Sequence, residues 1–578
     1  MGTISDKLMR IINTKEDIRK ALISKGYDVP TSVPFKEYAK MILDLPCKVD
    51  SFPDIEGIVA RYSASGLTNE QMAANPVWVD KTGNGYDLQL KNFSWKGMSG
   101  VGGYVGDFSK WVNNRDTTEI GITKSNSKVI IDVKVSQGSG KNIVFISKSN
   151  LGISNNVTIK ITSTYPEGVM KFANSASNKY LKLPSNGIIT LQDNPEYTSN
   201  EMHLHLASAD LGQITIEQLP LYPGALVFDG VDDYGVCDNF PILTKEKGYT
   251  VVALRQWITY NPNAISAIAT NASDQSFNGA FTFENYNKGA EQTISYGATQ
   301  ISLQYSKSPF SWQTTSKYNG FNIANGNKDA TNSLVLGRSY PQRNEFANFA
   351  IWELVFLDHD ATEEELTKIK DYFVKTYPWL FPDQAWTVVG KTNEDEDRAT
   401  IANITGNGND LVLSNFGFAE GSGYNEEGEY AGYLVTDGVD DKIISSIFKM
   451  GNDWTVIGDW ELINTGKNDN AGIVKFDSIV IYNYNSMLIN IKNGRNILIP
   501  DQNTVNAICS DGRIYSKDWK ESIYNEETES TSKNFLTIGY SGNAYTKIAF
   551  KNLAIYPTVL SREDCIKAYN YLQTLKAK

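Results

Sequence analysis

At 578 residues the chain is too long for one ordinary hydrophobic core and points to three or four domains. A net charge of −12 speaks against nucleic acid and anionic membrane surfaces as partners, because both select basic patches. The high aromatic content, with 31 Tyr and 11 Trp, favours β structure and leaves rings over for ligand faces.

Residues 1–48 differ from everything after them. Ile4, Leu8, Ile11, Lys15, Ile18 and Leu22 follow a short heptad stripe. Thr14 with Asp17 reads as a capping pair and Gly26 as a stop. A further segment, PFKEYAKMILDL, opens with Pro34 and aligns Phe35, Tyr38 and Ile42 on one face. Helices this short need a partner to be stable. The segment is expected to be either a small helical cap or an oligomerising and docking anchor. In the second reading Ile4, Leu8, Ile11, Ile18 and Leu22 form the oligomer seam.

From residue 49 onward the chain reads as strands and turns, and three blocks occur twice in the same order. GLTNEQMAANPVWVDKTGNGYDLQLKNFSW at 66–95 matches GKTNEDEDRATIANITGNGNDLVLSNFGF at 390–418. ALVFDGVDDYGV matches YLVTDGVDDKII, so Asp-Gly-Val-Asp-Asp is repeated at 229–233 and 437–441. The stretch 334–373 matches 536–572, each copy ending in strands and one amphipathic helix with Thr362 or Ser561 at its start. One module is therefore present twice. In the first copy the gap between Phe93 and Gly224 holds an insertion at about 116–219. Its seven short alternating runs suggest a small immunoglobulin-like β-sandwich. The expected division is 1–48, then 49–115 with 220–381, then 116–219 as the insert, then 382–578.

The motifs offer little chemistry. Flanking apolar residues make Asp-Gly-Val-Asp-Asp a strand–turn–strand hairpin. The alternative is calcium held by Asp229, Asp232, Asp437 and Asp440, although neither copy has the spacing of an EF-hand loop. QGSGKN at 137–142 lacks the P-loop register, and GMSGVGGYVGDF at 97–108 reads as a flexible loop. His203 and His205 would share a strand face, and a metal there would need three chains around an axis. There is no GxSxG, only three histidines exist, and no strand presents alternating catalytic carboxylates, so no enzyme is expected. Cys47, Cys237, Cys509 and Cys565 are far apart and form no CxxC, so they read as free thiols of a chain folded in a reducing cytoplasm. No apolar run reaches membrane-span length, and the opening MGTISDKLMRIINTKEDIRK has no secretory core.

The repeated blocks resemble the laminin-G/concanavalin A-like lectin superfamily. They are most similar to the LamG-type domains of gut Bacteroidales and their phages, which are two-sheet jelly rolls with an early FDG-D hairpin. INTKEDIRKALISKGYDVPTSVPFKEYAKMI at 12–42 resembles the opening segment of tailed-phage structural proteins, where it is associated with virion attachment and trimer formation. The combination resembles a crAss-like phage head or tail fibre. This implies a mainly β fold of two jelly rolls, one carrying an inserted sandwich, behind a helical anchor. It also implies a virion location, a homotrimer, capsid or tail partners through residues 1–48, and adhesion to host-surface or mucosal glycans. Sugar sites combine aromatic faces with a few polar groups. The aromatic and amide residues singled out are Tyr286, Asn287, Trp312 and Tyr318 in the first copy and Tyr482, Tyr484 and Trp519 in the second.

Overall fold

The computed structural model describes residues 15, 18, 19 and 52–577, apart from 111, 114–119, 136–142, 148–156, 166–169, 175–179, 183–185, 192–201, 207–210, 244–246, 260–266, 273–281, 284–298, 306–329, 339–343, 427–429, 447–450, 464–470, 477–478, 484–486, 492–494, 500–504, 517–518, 524–535 and 542–543. The chain forms two compact units, 1–54 and 55–578. In the first, Lys15, Ile18 and Arg19 are helical and half-buried. Ile4, Leu8, Ile11 and Leu22 lie outside the described residues.

The larger unit is mainly β and contains the same jelly roll twice. In the first module one sheet runs Gln300–Tyr305, Thr250–Trp257, Asn348–Leu357, Leu226–Asp229, Gly100–Val101, with Ile58–Ser63 also paired to the Asn348–Leu357 strand. Its opposing sheet runs Thr282–Phe283, Ala269–Ala272, Ala330–Leu336, Tyr234–Cys237, Leu88–Lys91, Val77–Trp78. The second module repeats this order around Ile548–Tyr556, paired with Thr455–Leu462, Tyr433–Val435 and Gln384–Thr387. A bulge falls at the same place in both central pairs, between Leu254 and Arg255 and between Asp459 and Trp460. Among the described residues the second module adds Met487–Ile491 and Arg495–Ile499 to its opposing sheet and Arg513–Ser516 and Glu521–Ile523 to the other.

The side-chain pattern explains the layers. Leu88–Lys91 alternates buried and exposed, as a strand with one face in the core must. Asn348–Leu357 is buried on both faces because the sandwich core covers one and a helix the other. Phe228 stacks on Phe349 with ring centroids 4.5 Å apart at the centre of the first core. Trp386, Trp460 and Phe550 fill the corresponding second core.

Each module ends in a helix laid on the outer face of its central strand. Glu363–Thr376 begins with a complete capping box, Thr362 with Glu365, and buries Leu366, Ile369, Tyr372 and Phe373. Arg562–Leu572 begins at Ser561, whose hydroxyl accepts from the Asp564 amide. The second helix also joins the modules. The Thr299 amide donates to Tyr571 Oη at 3.1 Å, and Gln256 Nε2 donates to Thr574 Oγ1 at 3.0 Å. Lys567 Nζ sits 4.4 Å from the ring centroid of Trp379 in the connecting Pro378–Leu380 turn.

The insert is a sandwich of two five-stranded antiparallel sheets. Ile131, Ile159, Ile161 and Ile216 are in its core. Its first strand, Val112–Asn113, already pairs with Ile143–Ser147, so it starts before residue 116, and its described residues form ten strands where the sequence suggested seven. The Gly-rich segment before it is not the flexible loop its composition suggests. Gly100–Val101 is a strand, the Tyr222 amide donates to the Gly102 carbonyl at 2.8 Å, and the Leu221 amide donates to the Gly103 carbonyl at 2.9 Å. Glycine is needed at 102 and 103, where φ is +87° and +62° and a Cβ would meet Pro220 and Tyr222. Gln218 closes the junction by bonding the Gly106 amide and carbonyl at 3.0 and 2.8 Å.

Candidate functional site: the paired carboxylate hairpins

Among the described residues, the groups most able to carry chemistry are the two Asp-Gly-Val-Asp-Asp hairpins. Asp229, Asp232 and Asp233 each bring a carboxylate oxygen within 4.8 Å of the others, as do Asp437, Asp440 and Asp441. Asp229 accepts from the Val231 amide at 2.8 Å, and Asp437 from the Val439 amide at 2.7 Å. The fifth residue closes each turn. Asp233 Oδ2 accepts from the Asp229 amide at 3.0 Å, and Asp441 Oδ2 from the Asp437 amide at 2.8 Å. Asp233 Oδ1 also takes the Ser99 hydroxyl at 2.9 Å. Gly230 is required by its φ of +76° and by Asn348, whose Cβ lies 2.7 Å from where a glycine-to-alanine methyl would stand.

A second strand segment clamps each hairpin. Asn92 and Asn415 adopt left-handed backbone at φ +68° and +70°. Their side-chain amides donate to the carbonyls of Asp232 and Asp440 at 3.1 and 3.0 Å. The repeated Asn-Phe pairs were the sequence signal for these clamps, but identity alone did not give them a role.

Asp233 and Asp441 are both sealed from solvent. Burial pushes the Asp233 carboxyl up to about 7, with Asp229 and Asp232 adding to the rise while the Asp229 amide and Ser99 oppose it. Burial likewise raises Asp441 to about 6, against the Asp437 amide and Ser422. The hairpins can therefore take up protons near neutrality.

Hydrogen-bond donors already occupy several of the oxygens that a calcium ion would need. Calcium gathers six to eight oxygens. Here Asp437 Oδ1 faces the amides of Val439, Asp440 and Asp441, and Asp233 has donors on both oxygens. The Asp232 and Asp440 carbonyls are engaged by Asn92 and Asn415. A cation would have to displace or oppose those hydrogens, leaving the exposed carboxylates of Asp232 and Asp440 and, in the second hairpin, the buried Asp441 Oδ1, which has no hydrogen-bond partner.

Other repeated polar residues are also bound into the framework. Asp80 Oδ1 accepts from the Arg61 and Thr82 amides, both at 3.0 Å. At the matching position Asn403 Oδ1 accepts from Ala385 and Thr405, both at 3.1 Å. The same bonds form with or without a negative charge. Asn69 and Asn393 each bond both the amide and carbonyl of one residue, Val101 and Tyr424 respectively. Glu353, unmatched in the second module, is fully buried with Arg61 Nε at 3.2 Å and the Tyr377 hydroxyl at 2.7 Å.

Of the aromatic candidates, Trp519 is a correction. It is 1 % exposed, is packed edge-on to Tyr569 at 5.6 Å, and gives its carbonyl to Arg562. No ring face is left for a sugar. Tyr482 lies on the Ile479–Asn483 strand opposite Gly472 and Leu488. Tyr286, Asn287, Trp312, Tyr318 and Tyr484 lie outside the described residues. His203 and His205 occupy alternate positions of the Met202–Leu206 strand, paired with Ala173 and Lys171.

The sequence matches no protein-family description and no curated protein. Among solved structures, Trypanosoma rangeli sialidase in complex with sialic acid aligns over 79% of this chain and 85% of that one, at 8% identity and a TM-score of 0.25. The HCR/D W1238A mutant aligns over 88% and 98%, at 10% identity and a TM-score of 0.16. The binding domain of Paraclostridial Mosquitocidal Protein 1 aligns over 86% and 97%, at 9% identity and a TM-score of 0.15. Likenesses at these TM-scores carry no argument about fold or chemistry.

Proposed function

We propose that the protein is a non-enzymatic fibre of a tailed-phage virion, attached through residues 1–48 and presenting lectin-like modules to host-surface or mucosal glycans. Support for a display role comes chiefly from the Asp80/Asn403 pair. A charged and a neutral side chain make the same two main-chain bonds at matching positions. The repeated polar residues hold two copies of a framework, and specificity is left to the loops and the insert that differ between them. The separate compact unit at 1–54 fits an attachment segment. The phage assignment itself rests on the sequence resemblance.

A glycan array with the full chain tests the adhesion reading, and binding above background is expected. Uniform background would favour a purely structural decoration protein, a reading that the burial of Trp519 already assists. Release of reducing ends from a bound polysaccharide would show that the chain is an enzyme. Solution mass measured with and without residues 1–48 tests the anchor. A trimer that becomes a monomer on truncation is expected, and a monomer in both cases would refute it.

A further inference from the structure

The two modules differ at a pair of matching positions beside the start of the terminal helix. In each, a threonine on the strand next to the central one ties the sheet to the start of the terminal helix. Thr250 Oγ1 donates to the His359 carbonyl at 2.7 Å and accepts from the Ala361 amide at 2.8 Å. Thr455 Oγ1 donates to the Thr558 carbonyl at 2.9 Å and accepts from the Leu560 amide at 2.9 Å. The residue across the ladder is Tyr305 in the first module and Cys509 in the second. The fourth residue after the helix cap is Leu366 in the first and Cys565 in the second. Both positions have become cysteine in the second copy.

Each sulfur lies beside the Thr455–Leu560 tie. Thr455 Oγ1 lies 3.7 Å from Cys509 Sγ, and Cys565 Sγ lies 3.9 Å from the Leu560 carbonyl oxygen. The Leu560 amide that bonds Thr455 Oγ1 at 2.9 Å places both cysteines at one strand–helix junction. Each residue is 0 % exposed. We propose that Cys509 and Cys565 are a latent disulfide site, which fastens the C-terminal helix to its sheet when the protein meets a small-molecule disulfide.

The exchange balances with that oxidant. One thiolate attacks the small disulfide, forms a mixed disulfide and expels one thiolate. The second cysteine attacks the protein-bound sulfur and expels the other, so two protein thiols are oxidised and one small disulfide becomes two thiols. Cys509 is the natural first attacker. The hydrogen bond from Cys565 lowers its thiol, with Thr455 and Arg513 acting in the same sense against burial. The same contact, together with burial, raises Cys565. Because both sulfurs are sealed from water, exchange proceeds when the first turn of the helix lifts. The bond would brace the element whose Tyr571 and Thr574 hold the first module.

The test is to equilibrate the full chain in buffers of increasing oxidised-to-reduced glutathione, quench in acid, alkylate in denaturant and map the peptides. The expected result is a Cys509–Cys565 linked peptide and a fall from four alkylable thiols to two, reversed by dithiothreitol. The linked form should melt higher by roughly 5 °C or more. Neither Cys509→Ser nor Cys565→Ser should give a linked peptide. Full alkylation of both cysteines at every ratio, or preferential pairing of either with Cys47 or Cys237, would overturn the proposal.

Discussion

Asn92 holds Asp232: its side-chain amide donates to the aspartate's main-chain carbonyl at 3.1 Å from a left-handed backbone position. Asn415 holds Asp440 in the same way at 3.0 Å. Asparagine suits the site twice over, since it tolerates positive φ and carries the donor. Asn92→Ala should therefore destabilise the first module by about 2 kcal/mol and Asn92→Gly by about 1 kcal/mol, because glycine loses only the bond. Urea unfolding of the two variants measures the difference. Equal losses would mean that the backbone conformation contributes nothing.

The buried aspartates set a pH dependence. Asp233 and Asp441 are raised to about 7 and about 6 in the folded protein, above an unfolded value near 4. The folded state thus binds protons more tightly, and stability falls as pH rises between those limits. Their contribution is fully present below about pH 4 and lost once pH passes about 7, with a slope of at most about 1.4 kcal/mol per pH unit for each group. Asp233→Asn has no charge to desolvate. Its melting temperature relative to wild type should improve from pH 5 to pH 8. A constant difference across that range would remove the assignment.

The ion pair under the first terminal helix gives a second stability test. Arg61 Nε and Glu353 Oε2 are 3.2 Å apart, and their side chains are 4 % and 0 % exposed. Removing one partner leaves a buried charge. Arg61→Ala should cost about 3–5 kcal/mol, while Arg61→Met with Glu353→Leu should cost far less. Chemical denaturation of the single and double variants separates these outcomes, and equal losses would contradict the account.

Calcium should have little effect on the hairpins. At about 1 mM calcium chloride the melting temperature is expected to match that in a chelator, since a site occupied at that concentration would raise it. A clear rise that disappears in Asp437→Asn would show that the cation displaces the amide donors.

The fold was legible because repeated identities mark repeated geometry. Thr82-Gly83-Asn84-Gly85 and its copy at 405–408 turn the chain alike, with Asn84 and Asn407 each donating to a main-chain carbonyl, at 2.9 Å to Val59 and 2.7 Å to Asp383. Long-range pairing was not legible: Arg61 and Glu353 are 292 positions apart, and nothing local distinguishes a buried glutamate from an exposed one. Trp519 failed as a site residue for a related reason. An aromatic between Asp518 and Lys520 looks available in sequence, but its φ of +61° turns the chain so that the ring packs against Tyr515 and Tyr569. The glycines at 97–108 suggested looseness, whereas Gly102 and Gly103 bring two main chains into bonding distance.

That close approach makes the insert an exchangeable cassette. Residues paired across an antiparallel ladder are about 5 Å apart, so the chain leaves and rejoins the first module almost at one point. In the second module the Gly432 amide donates to the Asn425 carbonyl at 2.7 Å, and only six residues of sequence separate the two. Replacing 104–220 by Asn-Gly should therefore leave the unfolding of the first module close to its original value, measurable by calorimetry. The jelly roll then acts as a socket, able to take a different outer domain without altering its own sheet order.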